Sequence, residues 1–330
     1  MRQTLILSRK DIAGLLRPAD YLEAVEVAFR AFKEGRAELP PPLHLGCPDG
    51  AFHAKGATLP GDRHYVALKL NANFPDNPCR KRLPTIQGAV LLCNGCDGSV
   101  LAVLDSIEIT LGRTAAASAL AARYLARSDA RTMLVCGCGD QGRAHARAFN
   151  EVLPLCELVA WDKNFAKAQV FAREMGEVLQ LESRAVSELR EGSLMSDVIV
   201  TCTTSPKPIL GLSDVASGAF VAAVGADSPD KNEIAPGLMA KATVVADVHQ
   251  QCITMGDLKH AIDAGVMSAD DVHADLGDLV TGRKKGRKRP DEITIFDSTG
   301  TALQDVASAA IAFERATESG IGTAFDFSAS

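Results

Sequence analysis

Gly137-Cys138-Gly139-Asp140-Gln141-Gly142 constrains the fold of this 330-residue chain more than any other segment. It follows the apolar run Met133-Leu134-Val135-Cys136, and twenty residues past its last glycine Asp162 follows a second apolar run, Leu158-Val159-Ala160-Trp161. Strand, glycine turn, helix, strand and acid in that order make a βαβ unit of the kind that binds dinucleotides. The spacing has a physical basis. Gly137 permits a tight turn, Gly139 lets backbone approach a pyrophosphate, and Gly142 lets the helix pack close to the strand. The helix N-terminus offers unpaired N–H groups to the phosphates, and Asp162 is placed to accept hydrogen bonds from an adenosine ribose. Its charge repels a 2′-phosphate, so NAD(H) is expected over NADP(H), with the adjacent Lys163 softening the preference.

The remaining composition bounds the problem without solving it. A chain of this length exceeds the size at which one core usually splits, so two domains are expected. A net charge of −6 argues against a general nucleic-acid binder. No signal peptide opens the chain and no apolar stretch is long enough to span a bilayer, so a cytoplasmic protein with no membrane partner is expected. Nine scattered cysteines then read as reduced thiols. Cys93-x-x-Cys96 has no second pair or nearby histidine to complete a zinc site, and no metal is expected.

Residues 18 to 35 place Leu22, Val25, Phe29 and Phe32 on one helical face, with Pro18 suited to a first turn. Between residues 40 and 110, runs such as Tyr65-Val66-Ala67-Leu68, Ala89-Val90-Leu91-Leu92 and Val100-Leu101-Ala102-Val103-Leu104 are separated by Gly, Pro, Asn and Asp. That texture predicts an antiparallel sheet. Residues 113 to 127 read as a helix rich in small side chains. Strand candidates at 133–136, 157–161, 197–202, 219–224 and 243–246 alternate with helices. A strand at 292–296 and a helix at 301–318 follow, the helix returning to the first domain. The fold class is therefore α/β: a Rossmann doubly wound parallel sheet over 120–300, plus a discontinuous α+β substrate and dimerisation domain over 1–119 and 301–330. One helix can hardly cover the long apolar runs of the first sheet, so a partner subunit is expected to cover the rest. The basic run from Arg283 to Arg289 reads as a solvated loop.

Residues fit for chemistry are spread along the chain. Lys69 ends a strand-like run in a loop of Asn and Pro, where a lysine can point into a cleft or simply into water. Arg113 stands at the predicted start of the Ala-rich helix, where the dipole disfavours a cation unless an anion binds beside it. Asp227 follows the run Phe220-Val221-Ala222-Ala223, at the carboxyl end of a parallel strand, where ligands bind in open α/β sheets; a helix cap is its simpler reading.

These residues carry a resemblance. Pro40-Pro41, Lys69 with Pro75 and Asn77, Leu83-Pro84-Thr85, Arg113-Thr114-Ala115-Ala116, the glycine turn, Val224-Gly225-Ala226-Asp227 with Lys231 and Glu233, and Ile295-Phe296-Asp297-Ser298-Thr299-Gly300 together resemble the ornithine cyclodeaminase and μ-crystallin family. The match runs over nearly the whole chain and is nearest to the archaeal alanine dehydrogenase and ketimine reductase-like members. The resemblance implies a pyridine-nucleotide enzyme acting at the Cα–N bond of a small α-imino or α-amino acid, assembled as a homodimer. It implies that Lys69 and Arg113 hold the substrate carboxylate and that Asp227 handles protons at the nitrogen. Thr114, Asp140, Gln141, Lys231 and Ser298 are expected around the nucleotide. The family's reactions include reduction of cyclic ketimines such as Δ1-pyrroline-2-carboxylate, alanine dehydrogenation and ornithine or lysine cyclodeamination, and some members chiefly bind ligand, as the crystallin does.

The chain departs from the family pattern where selectivity is set. Members commonly carry an arginine just after the paired prolines or in the following strand; here Pro42-Leu43-His44 and Ala51-Phe52-His53-Ala54-Lys55 fill those places. Alternation puts His53 and Lys55 on one face of the strand, where both are expected to meet the substrate. A lysine there repels the distal ammonium of ornithine. The expected activity is NAD(P)H-dependent reduction of α-imino acids, with cyclic ketimines leading and cyclodeamination or alanine dehydrogenation as alternatives. A binding protein of the crystallin kind would lose the proton-handling aspartate, and Asp227 is present.

Overall fold

The computed structural model describes residues 3–61 and 63–327. The chain divides into two compact units, Met1–Arg113 with Thr301–Ser330, and Thr114–Gly300.

In the first unit, β1 (Thr4–Leu7), β2 (Leu43–Cys47), β3 (Gly50–Leu59), β4 (Tyr65–Asn73), β5 (Ile86–Asn94) and β6 (Val100–Asp105) share a sheet with the last described strand, β15 (Thr323–Phe325). The order is β15-β1-β6-β5-β4-β3-β2. From β2 to β6 every pairing is antiparallel, as the turn-rich texture predicts, but β1 lies parallel to β6. The helices Pro18–Lys33 and Ala302–Ser319 pack together, and Ala302–Ser319 lies against β3 and β4. A bidentate ion pair fastens them: Arg315 Nη1 and Nη2 each donate to an Asp20 oxygen at 2.7 Å. Burial alone would raise the Asp20 carboxyl, but Arg315 and Arg17 hold it well below the carboxylate range.

The alternation of this sheet is unusual because both faces are apolar. Ala57, Ala67, Val90, Leu92 and Leu104 are buried on the helix-covered face. On the other face Leu43, Leu45, Leu68, Leu70, Leu91 and Ile6 are 36 to 55 % exposed. The register aligns them: Leu70 lies opposite Ala54, Leu68 opposite Leu91, and Leu91 opposite Val103.

One expectation is corrected here. The helix containing Arg113 runs from Ser106 to Leu125, so Arg113 sits two turns inside it and faces no helix start. Asp105 Oδ1 accepts the N–H groups of Ile107 and Glu108 and so caps the true start. The β-branched residues and Gly112 in 106–112 hid those first turns from a propensity reading.

The second unit holds β7 (Thr132–Cys136), β8 (Glu157–Trp161), β9 (Glu182–Ala185), β10 (Val198–Thr201), β11 (Phe220–Ala223), β12 (Thr243–Ala246), β13 (Ala274–Asp275) and β14 (Thr294–Asp297). They pair in the order β13-β12-β14-β11-β10-β7-β8-β9, and each pairing is parallel. This is the doubly wound α/β sheet. Its central strands are continuous apolar runs because both faces are covered; Val198, Ile199 and Val200 have no exposed surface. The strand order reverses between β7 and β10, and ligands bind in the crevice at such a reversal. The basic run is only partly the solvated loop it resembles. Arg287 turns inward and donates to the carbonyls of Leu125 at 2.7 Å, Glu292 at 2.6 Å and Ala219 at 3.2 Å. Among the described residues no helix is long and apolar enough to cross a membrane.

Candidate active site

The glycine turn lies at the end of β7, beside the start of the helix Asp140–Asn150. Gly137 has φ +105, and a side chain there would meet the Cys202 carbonyl at 2.8 Å. A Cβ at Gly142 would stand 2.5 Å from the Gly137 carbonyl and 2.9 Å from Val135 Cγ1, so the helix can pack on β7 only over a glycine. Gly139 differs: a Cβ there would enter open space, and the helix N-terminus it caps receives no side-chain cap bond. First-turn N–H groups without a cap, beside open space, fit a pyrophosphate. Asp162 curls back toward the turn, its Oδ2 accepting Cys138 N–H at 3.0 Å and its Oδ1 accepting Asn164 N–H at 2.9 Å. Asp140 is exposed and Gln141 half-buried in the first turn of that helix. Gln141 Oε1 and Ser298 Oγ are buried without a hydrogen-bond partner, two polar atoms that a nucleotide would satisfy. Thr114 is buried near the start of the unit. Burial pushes the Cys136 and Cys202 thiols well up and Cys138 to about 12, so the thiols at the turn are inert.

Buried carboxylates hold the surrounding loops; Glu233 and Asp297 lie in the segments that carry the family resemblance, whereas no sequence pattern marks Asp247 or Asp257. Glu233 accepts Thr203 N–H at 2.6 Å and Gly225 N–H at 2.8 Å, fastening the loops after β10 and β11. Asp247 accepts the N–H groups of Thr299 at 2.9 Å and Gly300 at 2.7 Å, fixing the loop that carries Ser298. Asp257 accepts those of Glu233 and Ile234, and Asp297 that of Leu258. Burial raises all four carboxyls above their ordinary range. Asp227 lies four residues past β11, its side chain half exposed, and Lys231 Nζ donates to its Oδ1 at 2.6 Å. Lys231, expected at the nucleotide, thus has its ammonium on Asp227.

In the first unit, Lys69 and Arg113 converge. Lys69 Nζ lies 2.8 Å from both carboxylate oxygens of Asp305. Arg113 Nε lies 3.1 Å from Asp305 Oδ1, and its Nη1 donates to Gln304 Oε1 at 2.6 Å. Neither Gln304 nor Asp305 stands out in the sequence; the signal available was two polar residues in the first turn of a helix whose middle, Val306 to Phe313, is apolar but for Ser308. Lys69 belongs to the helix-covered face of β4, which is why it is buried where a surface lysine was the simpler reading. Burial, with Arg113 and Lys55 adding to it, pulls the Lys69 ammonium down to about 7 against the upward pull of Asp305. Guanidinium carries five N–H groups, so the contacts of Arg113 leave donors for a carboxylate ligand. Lys55 lies directly across the strand pair from Lys69, and His53 across from Asn71 and from His44 on its other side, all on one face. His53 Nδ1 is 3.3 Å from His44 Nδ1.

A family model for the ornithine cyclodeaminase/mu-crystallin family matches residues 2–320. The chain belongs to that family. Among solved structures, an archaeal alanine dehydrogenase dimer with bound NAD is 35% identical, covers 98% of this chain and 99% of its own, and superposes with a TM-score of 0.94. The Δ1-pyrroline-2-carboxylate reductase of Thermococcus litoralis, in complex with NADH and L-proline, is 32% identical over 97% of this chain and 99% of its own, with a TM-score of 0.93. The iminosuccinate reductase of Paracoccus denitrificans, with NAD+, is 31% identical over 99% and 100%, with a TM-score of 0.92.

Proposed function

We propose that the protein is an NADH-dependent reductase of α-imino acids, with cyclic ketimines such as Δ1-pyrroline-2-carboxylate as leading substrates. The observation that carries this reading is the convergence of Lys69 and Arg113, two buried cations on one buried carboxylate, Arg113 with donors to spare, in a family member that also carries an uncapped glycine turn. When bound, the nicotinamide supplies the hydride. Lys69 and Arg113 grip the substrate carboxylate and so fix the orientation of its Cα. Asp227, steadied by Lys231, exchanges the proton at the substrate nitrogen as the C=N bond is reduced. His53 and Lys55 extend the cationic face.

Lys55 favours imine reduction over ornithine cyclodeamination, since a third cation across from Lys69 repels a second ammonium. Asp162 supports NAD(H) over NADP(H). The exposed apolar face of the first sheet supports a homodimer formed through it, with residues 1–119 and 301–330 as the substrate and dimerisation domain and 120–300 as the nucleotide domain. Nine free cysteines suit a reducing compartment, the cytoplasm. The test is NADH oxidation with Δ1-pyrroline-2-carboxylate beside NAD+ reduction with L-alanine. Imine reduction is expected to dominate; alanine oxidation as the faster reaction overturns the assignment.

A further inference from the structure

Asp305 is 1 % exposed, and the two cations it touches are nearly as deep, Lys69 at 4 % and Arg113 at 6 %. A buried ion is costly unless its charge is matched. Two cations against one anion are not matched. A purely structural pair needs one lysine or one arginine, not both. The surplus is what a bound carboxylate would neutralise.

Asp305 is well placed to govern that surplus. It lies in the first turn of the helix Ala302–Ser319, where the helix favours an anion. Burial alone would raise its carboxyl, but Lys69 and Arg113 hold it below the ordinary range. Gln304, its neighbour on the same turn, takes Arg113 Nη1, so two successive residues set the guanidinium plane. Among the described residues, the charged groups facing Lys69 are Lys55 from β3, Arg113 from the helix Ser106–Leu125 and Asp305 itself, with the Thr110 hydroxyl at 3.4 Å.

We propose that Asp305 is a positioning residue for the substrate clamp: its carboxylate aims the Lys69 ammonium and the Arg113 guanidinium at one point and keeps Lys69 charged, so that the clamp takes a substrate carboxylate. This rests on the reading of the protein as an α-imino acid reductase. Lys69 must be protonated to bind a carboxylate, so kcat/KM falls as pH rises through about 7. Removing Asp305 withdraws a negative charge that opposes burial, Arg113 and Lys55, and the fall moves to lower pH.

The experiment is the pH profile of kcat/KM for Δ1-pyrroline-2-carboxylate with NADH in the wild type, Asp305→Asn and Asp305→Glu. Asp305→Asn is expected to move the alkaline fall down by about one pH unit or more. It should also lower kcat/KM at neutral pH by about 10- to 100-fold, mostly through KM. NADH binding should stay near wild type, the unfolding temperature should fall because two buried cations lose their counter-ion, and Asp305→Glu should return the alkaline fall toward its original pH. A fall at the same pH in Asp305→Asn overturns the proposal, as does a loss confined to kcat. Should Asp305→Asn fail to fold, Lys69→Arg decides: arginine does not deprotonate, so the fall near 7 disappears if Lys69 owns it, and its persistence overturns the proposal. A wild type that reduces no imine overturns the functional reading and this inference with it. An active wild type whose pH profile ignores Asp305 overturns this inference alone.

Discussion

Asp162 Oδ2 accepts the backbone N–H of Cys138 at 3.0 Å, so the acid that follows β8 also braces the glycine turn. The carboxylate that we propose favours an unphosphorylated ribose therefore also helps shape the glycine turn.

That dual contact makes Asp162→Ser informative. Preference is expected to shift toward NADPH by about 1 to 2 kcal/mol, the scale of one charge-assisted contact. The measurement is the ratio of kcat/KM for NADH and NADPH in wild type and variant. A wild type preferring NADPH more than tenfold would remove the role assigned to Asp162.

Much of this cradle was legible in the chain because its requirements are local. Gly137 needs a positive φ and Gly142 a missing side chain, and both requirements are met by residues within one turn. The strands from β7 to β12 read as apolar runs for the same reason, except β9, whose sequence Glu182-Ser183-Arg184-Ala185 at the sheet edge carries no apolar run. The clamp was less legible. Lys69 and Asp305 stand 236 positions apart, and no periodicity joins a strand lysine to a helix aspartate at that distance. Of the four buried loop carboxylates, Asp247 and Asp257 are invisible for the same reason, since each serves backbone N–H groups brought to it by the fold.

Asp227→Ala is expected to cut turnover by about two orders of magnitude while leaving nucleotide binding nearly intact. Lys69→Ala and Arg113→Ala should harm substrate affinity as well as rate. Steady-state kinetics with nucleotide titration separate the two patterns. An Asp227→Ala protein with most of its activity would mean that water or another group carries the proton.

The exposed apolar face predicts the assembly state. Leu68→Glu and Leu70→Glu place charges on the face that a second copy would cover, and should convert a dimer to monomer in sedimentation velocity at micromolar concentration. A wild type that sediments as a monomer there would refute the dimer.

Asp257 makes stability depend on pH. Burial and the neighbouring Glu233 raise its carboxyl. A raised group stabilises the fold below its ordinary range and loses that contribution as pH climbs through the raised value. Asp257→Asn keeps an oxygen for the Glu233 and Ile234 N–H groups but does not titrate. Its unfolding temperature, relative to wild type, should therefore rise between about pH 4 and 8, by about 2 °C or more. A difference that ignores pH would show that burial leaves this carboxyl unperturbed.

The most direct test of the functional reading compares kcat/KM for Δ1-pyrroline-2-carboxylate with NADH and for L-ornithine on one preparation, with His53→Ala alongside. The cationic face of Lys55, Lys69 and Arg113 predicts the imine ahead by about 100-fold or more, since like charges brought together cost several kcal/mol. His53→Ala should raise KM for the imine more than it lowers kcat, and His53→Arg should keep activity. Efficient conversion of ornithine to proline, unaffected by either substitution, would contradict the account and make the protein a cyclodeaminase.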